Sequence, residues 1–307
     1  MISSIDPQSA IFLNGINQIE NNIAQASNQV SSGLSITVPS DSPDQIGTLL
    51  QLRANQLHNT QVQGNLTLAQ TNAQAADDAL SSSIQLMDTA TTLATQGATA
   101  TSTATSRAAL AEQVQSILQQ MVSNSQTNVQ GVFIFSGDQA LTPQYTWDST
   151  QANPVVTQQT SASTQQIENP AGGTFPASLT AQQIFDDQDP TTGAPATDNV
   201  FNALNTLVTA LNNNDQTGIA NSVSLLQAAS VHLNTSETFY GNLEGQIQSA
   251  STYASNYNTQ LATEISNIQD ADIPTAASEL TEANTQLQAA MQMEGQLPHS
   301  TLFNYLG

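Results

Sequence analysis

Proline is confined to short windows of this chain, and that confinement limits what the rest can fold into. None occurs from residue 44 to 142 or from 196 to 273, yet six fall between Pro143 and Pro195. Proline removes a backbone donor and clashes with the preceding turn, so such long proline-free stretches permit unusually long helices. Aromatic residues follow the same division. Phe133, Phe135, Tyr145, Trp147, Phe175, Phe185 and Phe201 gather around the proline-rich window, whereas residues 13 to 132 contain none. Two long arms therefore flank a central insert.

The arms carry a helical period. Phe12, Ile16, Ile19, Ile23, Ala26 and Val30 recur at steps of four and three, a coiled-coil seam rather than a broad amphipathic face. Leu66, Ala69, Ala73, Ala76 and Leu80 repeat it, and Ile84, Met87, Thr91 and Ala94 resume it after one slip. Leu110, Val114, Ile117 and Met121 form a third segment, and Phe201, Leu204, Val208 and Leu211 open the return. The return continues through Tyr240, Leu243, Ile247, Ala250, Ala254, Tyr257, Leu261, Ile265 and Ile268, then Leu280, Leu287 and Met291. A helix over about residues 43–98 spans ~80 Å at 1.5 Å per residue, which predicts a rod. The fold class that follows is mainly α with a β insert: a long coiled-coil rod built from both termini, plus a small central β-rich domain. Its divisions are 1–42 with 262–307 as a terminal coiled coil, 43–135 with 198–261 as a helical rod, and 136–197 as the β-rich outer part.

Within the insert, "GVFIF" and "QYTWD" are short β-prone runs with turn chemistry between them, and "NPVVTQQT" offers a third strand. "NPAGGTFP" and "DPTTGAP" read as loops. The stretch "SSGLSITVPSDSP" reads as a joint between helices. Gly33 suits the left-handed position past a helix end, Ser42 an N-cap, Pro43 the first helical position and Gln45 the closing member of a capping box.

Composition excludes several functions. The chain has two basic residues, Arg53 and Arg107, no lysine, and a net charge of −22. Nucleic acid and anionic membrane surfaces are bound by lysine and arginine, so neither is an expected partner. No apolar run approaches the length of a membrane span, and "MISSIDPQSAIFL" lacks the basic start of a secretory signal. There is no cysteine, hence no disulfide or thiolate chemistry. His58, His232 and His299 are far apart without metal-ligand spacing, and His58 and His232 read as solvated helix-face residues. No phosphate loop or nucleophile elbow is present. "DDQDPTTG" (Asp186, Asp187, Asp189, Gly193) resembles a cation loop without the distal glutamate, and an acidic surface turn is the reading taken. In "DADIP", Asp270 and Asp272 suit helix-end and N-cap roles. No catalytic, cofactor or metal site is expected. The insert aromatics read as core rather than as a glycan-binding face.

The motifs, taken in order, resemble the flagellin superfamily. "SSGLSITVPSDSP" is similar to that family's N-terminal signature joining its terminal domain to its rod, and "IQDADIPTAASELTEANTQLQAAM" to its C-terminal signature and last helix. Within it, "QGVFIFSGDQALTPQY", "QQIFDD", "NVFNALNTLVTALNNND" and "LPHSTLFNYLG" resemble the hook-associated protein 3 branch. Leu34 stands where the family usually has a basic residue, and Ile273-Pro274 replaces its usual aromatic or leucine followed by alanine.

The resemblance implies a structural protein of the bacterial flagellum, joining hook to filament, with flagellin itself as the alternative and a surface adhesin behind it. It also implies secretion without a cleaved signal, a ring of identical copies, contacts with a neighbouring hook-associated protein and with flagellin, and a cytoplasmic export chaperone. The assembly seam is then Phe12, Ile16, Ile19, Ile23 and Val30 with Leu280, Leu287, Met291, Leu302 and Leu306. Ser31, Ser32, Gly33, Pro39, Ser40, Asp41 and Pro43 form the joint loop. The seam is diluted by alanine, serine and asparagine, so both termini are expected to gain order against neighbouring copies.

Overall fold

The computed structural model describes residues 7–151, 153–160 and 164–296. In chain order its elements are α1 (Pro7–Ser32), α2 (Ile46–Ala98), α3 (Ala104–Ser125), β1 (Asn128–Val129), β2 (Val132–Phe133), β3 (Tyr145–Trp147), β4 (Val155–Thr157), β5 (Gln166–Glu168), β6 (Thr174–Pro176), α4 (Ala181–Phe185), α5 (Val200–Asn212), α6 (Gln216–Gln269) and α7 (Ile273–Gln296). The chain is mainly α: α2 has 53 residues and α6 has 54, and the strands are two or three residues long. Contacts divide it into a terminal unit, residues 1–58 with 258–307, and a central unit, residues 59–257. The division runs through α2 and α6 and assigns the insert to the central unit.

The central unit is built on a narrow seam. From α2, Val62, Leu66, Ala69, Ala73, Ala76, Leu80, Met87 and Ala94 are buried. From α6, Ile219, Leu226, Ala229, Leu233, Tyr240, Leu243, Ile247, Ala250 and Ala254 enter the same cluster. Alanine at so many of these positions lets backbones approach closely. The buried Asn59 accordingly donates through Nδ2 to the carbonyl of Ala254 at 2.7 Å. Helix α3 packs on α5, burying Leu110, Val114, Leu118 and Met121 with Leu204, Leu207 and Leu211. Gly97 lies so close that a Cβ there would meet Leu211 Cδ2 at 2.6 Å.

Where α2 ends, its last carbonyls have no helical partner, and Arg107 supplies one. The guanidinium is 5% exposed; it donates from Nε to Gly97 O at 2.8 Å and from Nη2 to Thr99 O at 3.1 Å. Its Nη1 reaches Asn214 Oδ1 at 2.6 Å, in a turn where Asn214 takes φ 54°. A cation at a helix C-terminus also suits the helix dipole.

Three hairpins form the β part, paired differently from the sequence expectation. β2 pairs with β1, Val129 opposite Val132, and β3 pairs with β4, Thr146 opposite Val156. The intervening Gln130-Gly131 both have positive φ, 54° and 88°, as a tight hairpin turn requires, so "GVFIF" turns back on the residues before it. "NPAGGTFP", read as a loop, contributes β6, paired with β5 across Gly172 and Gly173, whose φ values are 111° and 80°. Most insert aromatics are core, with Phe133 and Trp147 half-buried. Phe135 lies edge-on to Phe185 and Tyr240 with ring centroids 6.0 and 6.2 Å away, and Phe185 stacks on Phe201 at 5.7 Å. The Tyr145 hydroxyl donates to Asp186 Oδ2 at 2.9 Å, and burial beside that carboxylate pushes the phenol well above its usual range.

In the terminal unit α1 packs on α7. Here the start of α2 differs from expectation. Ser42 does not accept from Gln45 with its side chain; its hydroxyl donates to Asp44 Oδ1 at 3.1 Å, and its carbonyl accepts from Ile46 N. Residues 43–45 form a turn, and regular helix begins at Ile46.

Replacing Arg107 with Met keeps the bulk but leaves the buried Gly97 carbonyl at the end of α2 without its side-chain donor. We expect a loss of about 3 kcal/mol. Arg107→Lys recovers only part of it, since one ammonium cannot reproduce the three-way fork. Denaturant unfolding followed by the fluorescence of Trp147, the single tryptophan, reads both.

Candidate assembly surface

The terminal unit buries little and exposes much. Its buried apolar residues among those described are Ala26, Ile36, Leu49, Leu261, Ala276 and Ala283, three of the six being alanine. Of the thirteen large apolar side chains exposed across the described residues, nine belong to this unit: Ile11, Leu13, Val30, Val38, Leu50, Leu57, Ile273, Met291 and Met293. Leu57 is 74% exposed, Ile11 72% and Met293 70%. Scattered single apolar residues need no explanation, but this enrichment over a core so thin makes the unit the candidate interaction surface.

The period places each seam residue. On α1, Phe12, Ile16, Ile19 and Ile23 are half-buried and lead to the buried Ala26. On α7, Ala276, Leu280, Ala283, Leu287 and Ala290 form the matching line at steps of four and three. Met291 is one position past that line and is 61% exposed, and Val30 is 36% exposed. Leu302 and Leu306 lie outside the described residues.

The joint loop docks on the break between α6 and α7, which its own sequence did not indicate. Ser31 and Ser32 hydroxyls donate to Asn28 O, and Gly33, at φ 75°, closes α1 by donating to Gln29 O. The chain then runs antiparallel past Gln269–Ala271. Leu34 bridges Asp270, Ser35 N donates to Gln269 O at 2.7 Å, and Ala271 N donates to Gly33 O at 2.9 Å. Gln269 is the hub. Its buried side chain donates from Nε2 to Ile36 O at 3.4 Å and accepts Arg53 Nη2 on Oε1 at 2.8 Å. Leu34, standing where a basic residue is usual in the resembling family, thus contributes backbone to the bridge. The Pro39-Ser40 corner is closed by Asp41, whose Oδ2 accepts from Thr37 N at 2.8 Å and Val38 N at 2.9 Å. Those two backbone donors, Val38 first, hold the Asp41 carboxyl below its usual range. Pro43 lies in the turn leading to α2. Asp270 caps locally by accepting from the Ser266 hydroxyl, and Asp272 accepts from the Thr275 hydroxyl and the Ala276 amide at the start of α7.

No helix among the described residues is long and apolar enough to cross a membrane. In the acidic turn of the insert, Asp189 Oδ1 accepts from Thr191 N and Thr192 N.

Family models for the bacterial flagellin N-terminal helical region and C-terminal helical region match residues 6–140 and 223–306, together more than half of the chain. No curated protein matches closely enough in sequence to be counted a relative. Among solved structures, the fold is similar to a Vibrio parahaemolyticus protein described as a flagellar hook-associated protein. That match has 19% identity and TM-score 0.63, and covers 75% of this chain and all of that one. It is also similar to flagellar hook associated protein-3 of Legionella pneumophila, at 13% identity and TM-score 0.61, covering 73% of this chain and 99% of that one. Bacillus cereus FlgL matches at 17% identity and TM-score 0.54, covering 72% of this chain and 100% of that one.

Two outcomes are expected at the joint. Gln269→Ala removes both side-chain bonds and raises amide exchange at Ser35 about tenfold, the effect of losing about 1.4 kcal/mol. Because the Asp41 carboxyl is held below its usual value, its contribution is present above the ordinary carboxylate range. It is lost as pH falls below about 4 and through the depressed value. Exchange at Thr37 and Val38 should therefore rise on acidification, and Asp41→Ala should abolish that pH dependence.

Proposed function

The chain belongs to the bacterial flagellin family, and from that premise we propose that it is a structural junction protein connecting flagellar hook to filament. The observation that carries this reading is the terminal unit, in which nine large apolar side chains stand exposed over a core of small residues. A surface of that kind is completed by other copies of the chain and by like-built neighbours, a hook-associated protein on one side and flagellin on the other. In the same reading, residues 1–42 and 262–307 pack toward the axis, 43–135 and 198–261 make the rod, and 136–197 face outward. Phe12, Ile16, Ile19 and Ile23 with Leu280 and Leu287 set the helix pair, while Met291 and Val30 project to neighbouring copies.

The protein leaves the cell without a cleaved signal. Before export, a cytoplasmic chaperone covers the last helix around Leu280, Leu287 and the exposed Met291 and Met293. A chain that must travel unfolded and fold at its destination is suited by thin seams that become stable only on assembly. Its role is structural, without catalysis or a bound organic cofactor. The burial of Phe135 and Tyr145 in the insert core leaves fewer aromatics for the adhesin alternative.

Immunogold microscopy with antibody to residues 136–199 tests the placement. Gold in one band where hook meets filament supports a junction protein; gold along the whole filament makes the chain a flagellin and overturns the junction reading. Ile11→Asp and Leu57→Asp replace exposed side chains, so helicity by circular dichroism should be unchanged while filament attachment is lost. Normal filaments from both would reject the surface assignment.

A further inference from the structure

Outside the assembly surface, the central unit brings Asp187, Asp198 and His232 together, with their ligating atoms all within 4.8 Å of one another. They come from three places: Asp187 just after α4, Asp198 immediately before the α5 N-cap Asn199, and His232 in the first third of α6. His232 is half-buried rather than freely solvated, and its ring is held at both ends. Nε2 lies 2.8 Å from Gln183 O. A carbonyl oxygen only accepts, so Nε2 carries the hydrogen, and in the neutral ring Nδ1 presents its lone pair. That lone pair faces Asp198 Oδ2 at 3.3 Å, with Asp187 beside it.

Three electron-rich atoms within 4.8 Å of one another favour a positive charge among them. The neighbouring carboxylates are engaged elsewhere and do not account for the arrangement. Asp186 accepts from the Tyr145 hydroxyl and from Asn199 Nδ2, and Asp189 caps its own turn. Neither arginine is at hand, because Arg107 is fixed on Gly97, Thr99 and Asn214, and Arg53 on Gln269. With no lysine anywhere in the chain, neutralisation here comes from the ring's own proton or from a cation out of solution.

Two features favour the cation. A histidine whose second ring nitrogen donates to a backbone carbonyl is the usual support for a metal-bound imidazole. The Nδ1 to Oδ2 distance of 3.3 Å also exceeds the ~2.7–2.9 Å of a charge-assisted hydrogen bond. It matches adjacent ligands on a polyhedron with bonds of about 2.1–2.3 Å, whose edge is roughly 3.0–3.3 Å.

We propose that Asp187, Asp198 and His232 bind a first-row divalent cation, with water completing its coordination, which clasps the 186–198 loop to α6. One imidazole and two carboxylates suit zinc or manganese; calcium, which prefers six or more oxygens, is disfavoured.

The test uses the full chain, freed of metal by chelator and dialysed, in a background of excess calcium that suppresses loose binding to its acidic surface. Zinc is titrated by calorimetry and thermal unfolding is followed by Trp147 fluorescence. The expected result is one saturable equivalent and a rise in Tm of several degrees. His232→Gln, which retains a donor for Gln183 O, and the isosteric Asp198→Asn should each weaken binding at least tenfold. His58→Gln should leave it unchanged. No saturable binding, or binding that survives both His232→Gln and Asp198→Asn, overturns the proposal and leaves the cluster an imidazolium–carboxylate pair. Either result is independent of the assembly reading, since the clasp lies in the central unit.

Discussion

Everything in this fold depends on burying a seam barely one residue wide along helices of more than fifty residues. An isolated helix is marginal in water, and most of its stability in a protein comes from the face it packs. Here that face is heavily alanine: Ala69, Ala73, Ala76, Ala90 and Ala94 on α2, and Ala229, Ala250 and Ala254 on α6. Each contributes little apolar area, so the small side chains gain mainly by letting the backbones close in, as the Asn59 to Ala254 bond illustrates. The buried aromatic side chains gather where α3, α5 and the insert join, around Phe135, Phe185, Phe201 and Tyr240. The central unit is thereby anchored by a conventional core, and the terminal unit is not.

That contrast gives the terminal unit its character. With three alanines among its six buried apolar residues, it holds its loop geometry by hydrogen bonds instead of by packing. The joint after α1 and the break before α7 satisfy each other's backbone groups, with Gln269 supplying both a carbonyl and an amide side chain to the exchange. Two helix interruptions that would each leave orphan donors and acceptors are thereby closed as a pair. A unit organised this way keeps its turn chemistry while leaving apolar surface unpartnered.

Scarcity of positive charge runs through the whole molecule. Exposed salt bridges add little to stability in any protein, and a surface of glutamine, asparagine, serine and threonine forgoes them at small cost. Neither arginine is available as a general surface charge. Arg107 terminates α2, and Arg53 completes the joint through Gln269. The same scarcity leaves carboxylates such as Asp187 and Asp198 without an arginine or lysine to face.

Much of this was legible in the sequence. The proline gaps located α2 and α6, the four-and-three period identified Leu66 through Leu80 and Tyr240 through Leu261 as buried faces, and Gly33 was readable as a left-handed helix stop. All of these rest on local chemistry, where a residue's role depends on neighbours within a few positions. The hairpin pairings were misread because strands two or three residues long carry almost no period, and the positive φ of Gln130 has no marker in its side chain. The Arg107 fork to Asn214, the Gln269 hub facing Ser35 and Ile36, and the meeting of His232 with Asp187 and Asp198 were invisible for a different reason. Their partners lie tens to hundreds of positions apart and are chosen by how the helices pair, not by any pattern in the intervening residues. The sequence by itself determined where helices run, where they stop and which stripe they bury; only the tertiary structure decided which distant polar groups meet, because antiparallel packing of the two arms sets that register.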